Sequence, residues 1–483
     1  MLDRQQRRPV VEMLESFTGT NPISFHVPGH KGGEFSGLPA SVRGMLSWDV
    51  TELPGLDDLH APEGPILEAQ QLLAEAYGAG RSFFLVNGST GGNLAMILSV
   101  CRPGDRVIVQ RNAHKSIFNG LALAGARPVF LTPEWDMRTM AAGHVPAAVV
   151  REAIRLYPDA KAVILTNPTY YGRVSPELGT IAEACRRVGI PLLVDEAHGS
   201  HFGIGEPFPE PALRQGADVV VQSAHKTLPA MTMASFLHVS KDSLVDPSAV
   251  ARQLGILQSS SPSYPLMASL DDARHFIATY RSADIRSFLD RRRFLIEGLT
   301  AMPSLSVIEA DDPLKLLLRT EGRTGTDLQR ALGAQGVHAE LADDCQALLV
   351  LPLLKEGQDD RFAETLGRIG RALQDLPAAG NRPEPEIPSL PSSVTASVLP
   401  PAENPQSPAE WVHYTESADR ISAASVIPYP PGIPLLLPGE PIRRETVGQL
   451  GRLLEAGVPF QGHHRLEDGQ VLVLIQSSEA YSI

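Results

Sequence analysis

Short apolar runs alternate with helix-like stretches between about residues 66 and 240. The runs are rich in β-branched residues and bounded by polar ones, which is typical of buried strands in a parallel sheet. Predicted strands cover residues 82–86, 105–109, 126–131, 162–166, 190–194 and 217–221, and predicted helices cover 92–101, 115–124, 146–157 and 176–188. Such alternation produces a mainly parallel sheet covered by helices on both faces, so we expect an α/β fold.

Two polar residues at the exits of predicted strands suggest a chemistry. Asp195 directly follows one strand, and Lys226 comes shortly after the next. Ligands of parallel sheets bind beyond the carboxyl ends of the strands, where both residues fall. A lysine can hold the aldehyde of pyridoxal phosphate (PLP) as a Schiff base, and a carboxylate can keep its pyridine nitrogen protonated. Each residue alone is better explained as a surface lysine or a capping aspartate, but together they predict a PLP site.

A glycine-rich turn, NGSTGGN at residues 87–93, follows the first predicted strand and opens a helix. Backbone N–H groups at a helix N-terminus, together with the hydroxyls of Ser89 and Thr90, are donors suited to a phosphate. Taken alone, the turn is better explained as a simple capping loop. No lysine follows the glycines, so the pattern of nucleoside triphosphate sites is not met. Beside Asp195 and Lys226, the phosphate of PLP is the best candidate.

Further candidates lie near these motifs. His114 precedes a predicted helix, where its ring can stack on one face of the cofactor; a capping or solvent-exposed histidine is the alternative. Lys115 is a second lysine candidate, ranked below Lys226 because no acid or hydroxyl pattern accompanies it. Ser223 and His225 flank the favoured lysine and can donate hydrogen bonds to the phosphate, or they merely complete the turn.

Composition narrows the class of protein. A length of 483 residues predicts two or three domains, and a net charge of -13 argues against a nucleic-acid surface. The three cysteines lie far apart with no C-x-x-C pair, so neither a disulfide framework nor a zinc site is indicated. The chain begins without the apolar segment of a signal peptide, and no stretch approaches the roughly 20 apolar residues of a membrane span. We therefore expect a soluble cytoplasmic protein without a nucleic-acid or membrane partner.

The predicted organisation has five parts. They are an extended N-terminal arm (1–65), a PLP-binding large domain (66–290), a small α/β domain (291–376), a linker rich in Pro, Ser and Ala (377–408) and a C-terminal domain (409–483). The small domain has predicted helices at 292–300, 326–333 and 361–376 and predicted strands at 314–319 and 347–351. The C-terminal domain has a predicted helix at 446–457 and a predicted strand at 470–476.

Four longer motifs resemble those of the bacterial ornithine/lysine/arginine decarboxylase family. They are FHVPGHKG at 25–32, DVTELPGLDDL at 49–59, SAHK at 223–226 and YPPGIP at 429–434, so the resemblance covers essentially the whole chain. It implies the aspartate-aminotransferase fold (PLP fold type I), with a large domain, smaller C-terminal α+β domains and PLP as cofactor. Because nothing precedes the arm, the chain resembles the short form of the family, which lacks an N-terminal wing domain.

The resemblance also implies roles for individual residues. Lys226 is expected to be the Schiff-base lysine, Asp195 the partner of the pyridine nitrogen and His114 the stacking ring. The residues expected around the phosphate are Ser89, Thr90, Ser223 and His225. His198 stands where members often have a tryptophan, and whether it joins proton transfer is open.

Two further expectations concern a neighbouring subunit and the substrate. The run SSSPSY at 259–264 is similar to the family segment that reaches the phosphate of a neighbouring subunit, which points to Ser260 and to a homodimer or higher homo-oligomer. The run GVHAE at 336–340 is similar to the small-domain segment whose glutamate faces the distal cation of the substrate. That assigns the contact to Glu340, and a solvated surface glutamate is the alternative.

The activity that the resemblance implies is decarboxylation of arginine, lysine or ornithine, which yields carbon dioxide and agmatine or a diamine. The sequence does not separate the three substrates. Polyamine synthesis and acid resistance use the same chemistry, so both roles stay open, and the missing wing domain favours synthesis. The alternatives are an aminotransferase or another lyase on the same fold, and a non-catalytic regulator, which would have no chemical need for Lys226, Asp195, His114 and Ser89 together.

Overall fold

The structure is a computed structural model that describes residues 2–376, 380, 390–399, 407–428, 433–455 and 457–475. Its helices are α1 (Leu2–Gln5), α2 (Pro9–Gly19), α3 (Ala40–Arg43), α4 (Pro65–Tyr77), α5 (Gly88–Val100), α6 (Lys115–Ala124), α7 (Ala147–Leu156), α8 (Leu178–Arg187), α9 (Ala224–Thr227), α10 (Pro247–Leu257), α11 (Tyr264–Ala278), α12 (Ser282–Thr300), α13 (Gly325–Ala334), α14 (Phe362–Gln374) and α15 (Arg444–Glu455). Among these described helices, none has both the length and the apolar character needed to cross a membrane.

The strands in the described residues account for all six that were predicted between residues 82 and 221, each displaced by at most two residues. They are β1 (Arg81–Leu85), β2 (Arg106–Gln110), β3 (Arg127–Leu131), β4 (Trp135–Asp136), β5 (Ala141–Ala142), β6 (Ala162–Thr166), β7 (Leu192–Asp195), β8 (Val219–Gln222), β9 (Ser235–Val239), β10 (Leu305–Glu309), β11 (Lys315–Thr320), β12 (Leu341–Ala342), β13 (Ala347–Val350), β14 (Val394–Ala396), β15 (Ala409–His413), β16 (Val426–Pro428), β17 (Phe460–Gly462) and β18 (Gln470–Leu474). The α/β class predicted from the alternation is therefore confirmed.

The chain divides into two compact units. Unit 1 contains Met1–Val100, Pro191–Phe288 and Pro352–Gln358, and unit 2 contains Cys101–Ile190, Leu289–Leu351 and Asp359–Ile483. The five-part division expected from the sequence stays a prediction.

In unit 1 four strands lie in the order β1-β9-β8-β7. β7 and β8 are parallel, whereas β9 is antiparallel to both β8 and β1. β1, β7 and β8 therefore run in the same direction, and their carboxyl ends share one edge. Apart from the first residue of β1, every residue of these three strands is buried, as expected for strands covered on both faces.

Helix α5 lies unusually close to this sheet because Gly92 has no side chain. A Cβ at Gly92 would lie 2.6 Å from Leu85 Cδ1 and 2.9 Å from Val221 Cγ1. The helix therefore packs directly over β1 and β8, and its first turn stands at their carboxyl edge.

The N-terminal residues contain a helix, which corrects the expectation of an extended arm. The apolar side of α2 is buried, and α2 packs against α4 and α11. An ion pair buried in α11 holds this region. Asp271 accepts a hydrogen bond at 2.9 Å from the Val10 N–H in the first turn of α2, and Arg274 donates at 2.9 Å to the carbonyl of Gln5 at the end of α1. These partners are more than 250 residues away, so local periodicity could not reveal the helix.

One acid of the motif DVTELPGLDDL, Asp57, has a structural role. The carboxylate of Asp57 accepts backbone hydrogen bonds at 2.9–3.0 Å from Glu63, Gly64 and Ile66, the residues around the start of α4. Its carbonyl accepts a hydrogen bond from the Tyr264 hydroxyl at 2.5 Å. Asp57 therefore ties the arm to α4 and α11.

In unit 2 four strands lie in the order β6-β2-β3-β14. β6, β2 and β3 are parallel, and β14 is antiparallel to β3. β14 lies in the predicted linker and was not predicted, because a three-residue strand has no periodicity of its own and forms only where β3 offers a pairing edge. Residues 377–379, 381–389 and 400–406 of that linker lie outside the described residues.

The rest of unit 2 comprises an antiparallel sheet in the order β10-β11-β13-β12, with α13 and α14, and a C-terminal portion with the pairs β15-β18 and β16-β17 and helix α15. The predicted strands in both parts are present within two residues. The C-terminal core includes Val426, Leu436, Leu450, Val471 and Val473. Residues 429–432 of the motif YPPGIP lie outside the described residues.

Candidate active site

Unit 1 brings three connections to one edge of its sheet. The connection after β1 opens α5 with Ser89 and Thr90, the loop after β7 carries Asp195 and His198, and the turn after β8 carries residues 223–226. They meet because β1, β7 and β8 run in the same direction. This edge is where ligands of parallel sheets bind.

Asp195 ends β7 and is 2% exposed. Its Oδ2 accepts a hydrogen bond from Asn93 Nδ2 at 3.0 Å, and its Oδ1 accepts one from the Ala197 N–H at 3.2 Å. A buried carboxylate held on both oxygens keeps one orientation, which suits a group that must favour a positive charge on a ring nitrogen.

Lys226 lies in α9, the single helical turn that follows β8. It is half-buried, and its Nζ lies 3.0 Å from Nε2 of His198, a buried side chain. Because a hydrogen bond needs one donor and one acceptor, either the ammonium donates to a neutral imidazole or the imidazole N–H donates to a neutral amine. A proton can therefore pass between the two nitrogens.

The candidate phosphate site combines a helix N-terminus with two hydroxyls. Gly88 opens α5 with a φ of 72°, a conformation that favours glycine. The buried Ser223 Oγ donates to Ser89 Oγ at 2.8 Å, so the hydroxyl proton of Ser89 remains for another acceptor. Thr90 is exposed beside them. Three of the four residues predicted around the phosphate therefore lie together.

His225 is more restricted as a hydrogen-bond donor than the sequence suggested. Its Nδ1 lies 3.0 Å from the Ala234 carbonyl, which can only accept, so Nδ1 carries the hydrogen. Nε2 of the neutral ring is then an acceptor. A hydrogen bond from His225 to a phosphate through Nε2 therefore requires the charged imidazolium.

Ser260 lies in an exposed segment at the end of α10. The two residues before Ser260 are anchored, because the Gln258 side chain accepts from the Val86 N–H at 2.7 Å and His60 Nε2 bonds the Ser259 carbonyl at 2.8 Å. A firmly held, exposed serine is compatible with contact to another subunit, and that role stays a prediction.

The two remaining predicted residues lie in unit 2. His114 is the N-cap of α6, where its Nδ1 accepts from the Ser116 N–H at 3.3 Å, so the capping alternative is present and the stacking role stays a prediction. Glu340 is exposed just before β12 and accepts a hydrogen bond from the Tyr170 hydroxyl. The neighbouring Tyr171 hydroxyl donates to Asp343 Oδ2 at 2.6 Å. Glu340 is therefore held by a tyrosine rather than being simply solvated.

Three polar residues near the site were not singled out from the sequence. Asn93 orients Asp195 through its side-chain hydrogen bond. It lies four residues after Ser89, on the same face of α5, and this spacing could have identified it from the sequence. Glu196 and Gln222 are buried side chains next to predicted site residues, and their Nε2–Oε2 hydrogen bond measures 2.7 Å. Nothing local in the sequence signals that contact.

The donors and acceptors of unit 1 fit PLP. The cofactor requires an amine for its aldehyde, an acid for its ring nitrogen and N–H and hydroxyl donors for its phosphate. Lys226, Asp195 and the Ser89–Ser223 pair at the start of α5 supply these groups at one edge of the sheet.

Comparisons with known proteins agree with this chemistry. The family model described as "Orn/Lys/Arg decarboxylase, major domain" matches residues 8–290, and "Orn/Lys/Arg decarboxylase, C-terminal domain" matches residues 397–463. The chain is 45% identical to "Uncharacterized protein YaaO" of Bacillus subtilis, over 98% of this chain and 99% of that protein. It is 34% identical to the "Arginine decarboxylase" of Bacillus subtilis, over 95% of this chain and 96% of that enzyme.

The fold has solved counterparts. One is "Lysine decarboxylase A from Pseudomonas aeruginosa", with a TM-score of 0.75 and 22% identity over 97% of this chain and 80% of that chain. Together with the family match, this likeness confirms the expected PLP fold type I and the expected cofactor.

Proposed function

This chain belongs to the Orn/Lys/Arg decarboxylase family and is a PLP-dependent decarboxylase, and from that premise we propose that it acts on a basic amino acid, with arginine as the first candidate. The observation that carries the proposal is that a buried Asp195 and Lys226 lie at the same edge of the sheet. The Nζ of Lys226 lies 3.0 Å from His198 Nε2. Arginine ranks first because the arginine decarboxylase of Bacillus subtilis is similar over 95% of this chain.

We assign the steps at the reacting carbon to residues of unit 1. PLP, when bound, accepts the electrons that remain when carbon dioxide leaves the substrate. Lys226 is the residue that carries the cofactor, and Asp195 keeps the ring nitrogen protonated because a nearby carboxylate favours the charged form. Lys226 or His198 then returns a proton to the α-carbon, and the 3.0 Å contact lets either nitrogen resupply the other.

We assign recognition of the distal cation of the substrate to Glu340. A carboxylate can bind a guanidinium through two parallel hydrogen bonds, whereas an ammonium is a point charge. The Tyr170 hydroxyl bonds Oε1 of Glu340 and so limits the rotation of the carboxylate. A preset carboxylate plane favours a planar guanidinium, which agrees with arginine as the first candidate.

We further propose a homodimer or higher homo-oligomer, in the cytoplasm and in polyamine synthesis. The arm exposes several large apolar side chains, of which Ile23 is 88%, Phe25 97% and Phe35 78% exposed. Large apolar side chains that are this exposed in one segment are characteristic of a covered interface. A second copy of the chain is the occupant that agrees with the exposed Ser260 segment.

The test of the activity is release of carbon dioxide from arginine, lysine and ornithine with PLP added. We expect release from arginine and a loss of at least ~1000-fold in Lys226→Ala. Lys115→Ala is the matched control and should retain the wild-type rate, because Lys115 is the lysine ranked second in the sequence. Full activity in Lys226→Ala, or transamination without carbon dioxide, would contradict the assignment.

The test of the assembly is sedimentation of the holoenzyme. Phe25→Asp should shift the protein towards the monomer, because a charge cannot be buried at an apolar interface without a large desolvation cost. Leu123→Asp is the control, since Leu123 is 64% exposed but lies outside the arm. A wild-type enzyme that is fully active as a monomer would refute the shared site.

A further inference from the structure

A buried polar chain lies on the opposite face of the unit 1 sheet from α5. Asp195 is paired with Val221 in the register of β7 and β8, and Val221 packs against α5 at Gly92. Side chains alternate between the faces of a strand, so Glu196 and Gln222, one residue further along, point to the other face. They cannot reach a cofactor that Asp195 holds, and any effect on the reaction must pass through their neighbours.

The buried polar chain consists of Ser82, His238, Gln222 and Glu196, each no more than 2% exposed. Ser82 Oγ lies 2.8 Å from His238 Nδ1, His238 Nε2 lies 3.2 Å from Gln222 Oε1, and Gln222 Nε2 donates to Glu196 Oε2 at 2.7 Å. The other oxygen of Glu196 accepts from the Ala212 N–H at 2.7 Å. Every link has a donor and an acceptor when the imidazole is neutral.

Burial favours the neutral forms of the side chains in the buried polar chain. It lowers the pKa of His238 to about 3, because a charged imidazole would lose its hydration. It raises the pKa of Glu196 to about 8, and the hydrogen bonds from Ala212 and Gln222 offset that rise only in part. A protonated Glu196 can donate to Gln222 if the Gln222 amide turns over and His238 takes its other tautomer, so the chain survives with its direction reversed.

We propose that Glu196 and Gln222 are positioning residues that hold the strand ends bearing Asp195 and Lys226 at the spacing the cofactor needs. The inference rests on the proposed function, in which those two residues hold PLP. Glu196 directly follows Asp195, and Gln222 ends the strand that leads into α9, so their side-chain bond joins the two strand ends across the sheet.

Three further contacts restrict the movement of this link. Backbone hydrogen bonds continue beyond the end of β7, from the Glu196 N–H to the Val221 carbonyl at 2.9 Å and from the Ser223 N–H to the Ala197 carbonyl at 3.2 Å. Gly199 encloses the carboxyl side, since a Cβ there would lie 2.6 Å from Glu196 Cγ. Glu196 therefore has one position, and the loop from Asp195 to His198 is fixed with it.

The experiment compares the full-length holoenzymes of wild type, Glu196→Gln and Glu196→Leu, with Gln222→Met as a second way to cut the link. Leu270→Ala is the control, because it removes a fully buried side chain of α11 that is not part of the buried polar chain. Four quantities are measured: the dissociation constant for PLP, the pH titration of the visible absorbance of the lysine-bound cofactor, kcat and KM separately, and the apoenzyme Tm.

We expect Glu196→Gln to resemble wild type, because glutamine reproduces the protonated acid. Glu196→Leu and Gln222→Met should bind PLP more weakly, shift the absorbance titration and lower kcat by about 10- to 100-fold with little change in KM, as misplacement of reacting groups does. Leu270→Ala should lower Tm and leave the other quantities unchanged.

Unchanged PLP affinity, titration and kcat in both link-cutting variants would overturn the inference. The inference would also be overturned if Leu270→Ala changed PLP affinity, the titration and kcat in the same way, because the changes would then come from general destabilisation. If Glu196→Leu does not fold, Gln222→Met decides by the same criteria. A wild type that does not bind PLP at Lys226 would instead refute the proposed function itself, and the two failures are thus distinguished.

Discussion

Two buried glutamates in this protein are accommodated in opposite ways. In unit 1, Glu196 is bonded to neutral groups, the Gln222 amide and the Ala212 N–H. In unit 2, Glu440 is bonded by Arg111, whose two terminal nitrogens donate at 2.8 and 2.6 Å to the two carboxylate oxygens. Burial raises the pKa of both carboxyls, but only Glu440 has an arginine charge that opposes the rise.

The two carboxyls therefore contribute to stability in different ways. In unit 2 the charge of Arg111 opposes the rise in the pKa of Glu440, and the same arginine fixes the chain, because its Nε donates to the Pro434 carbonyl at 2.7 Å. Loss of Arg111 would leave Glu440 buried without its cation. The acid in unit 1 avoids that cost by holding a proton, so its contribution to stability depends on pH in the range where an enzyme works.

The largest expected effect comes from breaking the ion pair on one side. Arg111→Met should lower the free energy of unfolding by about 3–5 kcal/mol, because Glu440 is left buried without its cation. Urea unfolding of the purified protein measures the change. The double variant Arg111→Met/Glu440→Leu should lose less than the single one, and an equal or larger loss would contradict the role assigned to the charge.

The pH dependence of stability should separate the two glutamates. Because the folded pKa of Glu196 is raised to about 8, its contribution is complete below the unfolded carboxyl pKa and is lost as pH rises through about 8. The slope is up to about 1.4 kcal/mol per pH unit, and Glu196→Gln should abolish it.

Urea midpoints between pH 7 and 8.5 provide the measurement. The lowered pKa of His238 acts on the acid side and so adds little in this range. Glu364→Gln, at an exposed position, is the control and should keep the wild-type slope. Equal slopes in wild type and Glu196→Gln would show that Glu196 does not titrate as expected.

A smaller effect is expected from crowding Glu196. Gly199→Ala should cost about 1–3 kcal/mol, because the new methyl group would overlap the Glu196 and Phe202 side chains. Gly370→Ala is the matched control, since a Cβ at this position in α14 meets nothing within 4 Å, and it should instead stabilise the helix by about 0.5–1 kcal/mol. Thermal unfolding of both variants gives the comparison, and equal shifts would refute the tight enclosure.

The smallest effect concerns the far end of the buried polar chain. Ser82→Ala removes the hydroxyl that bonds His238 Nδ1 and should cost about 1 kcal/mol. Ser99→Ala is the control, because that hydroxyl donates to a carbonyl of its own helix, that of Met96. If Ser82→Ala unfolds at the same urea concentration as wild type, the Ser82–His238 hydrogen bond adds no stability.

The elements predicted best are those whose residues carry their own signal. β6 was predicted to the residue and β1, β2, β3, β7 and β8 to within two residues, because buried parallel strands are short β-branched runs. β9, with the sequence SFLHV, was not predicted, since the buried His238 interrupts its apolar run. α2 and β14 depend on Asp271, Arg274 and the edge of β3, which are remote in sequence.

Local sequence patterns predict the strand positions, the residue types that follow them and the cofactor class, because each is encoded within a few neighbouring residues. Tertiary packing sets which side chains meet: Asn93 with Asp195, His198 with Lys226 and Glu196 with Gln222. The physical reason is register. A shift of one residue between β7 and β8 would turn the side chains of one strand to the other face. Both faces are buried, so the shift would leave Asp195, Glu196 and Gln222 buried without their hydrogen-bond partners, which is the cost that selects the observed register.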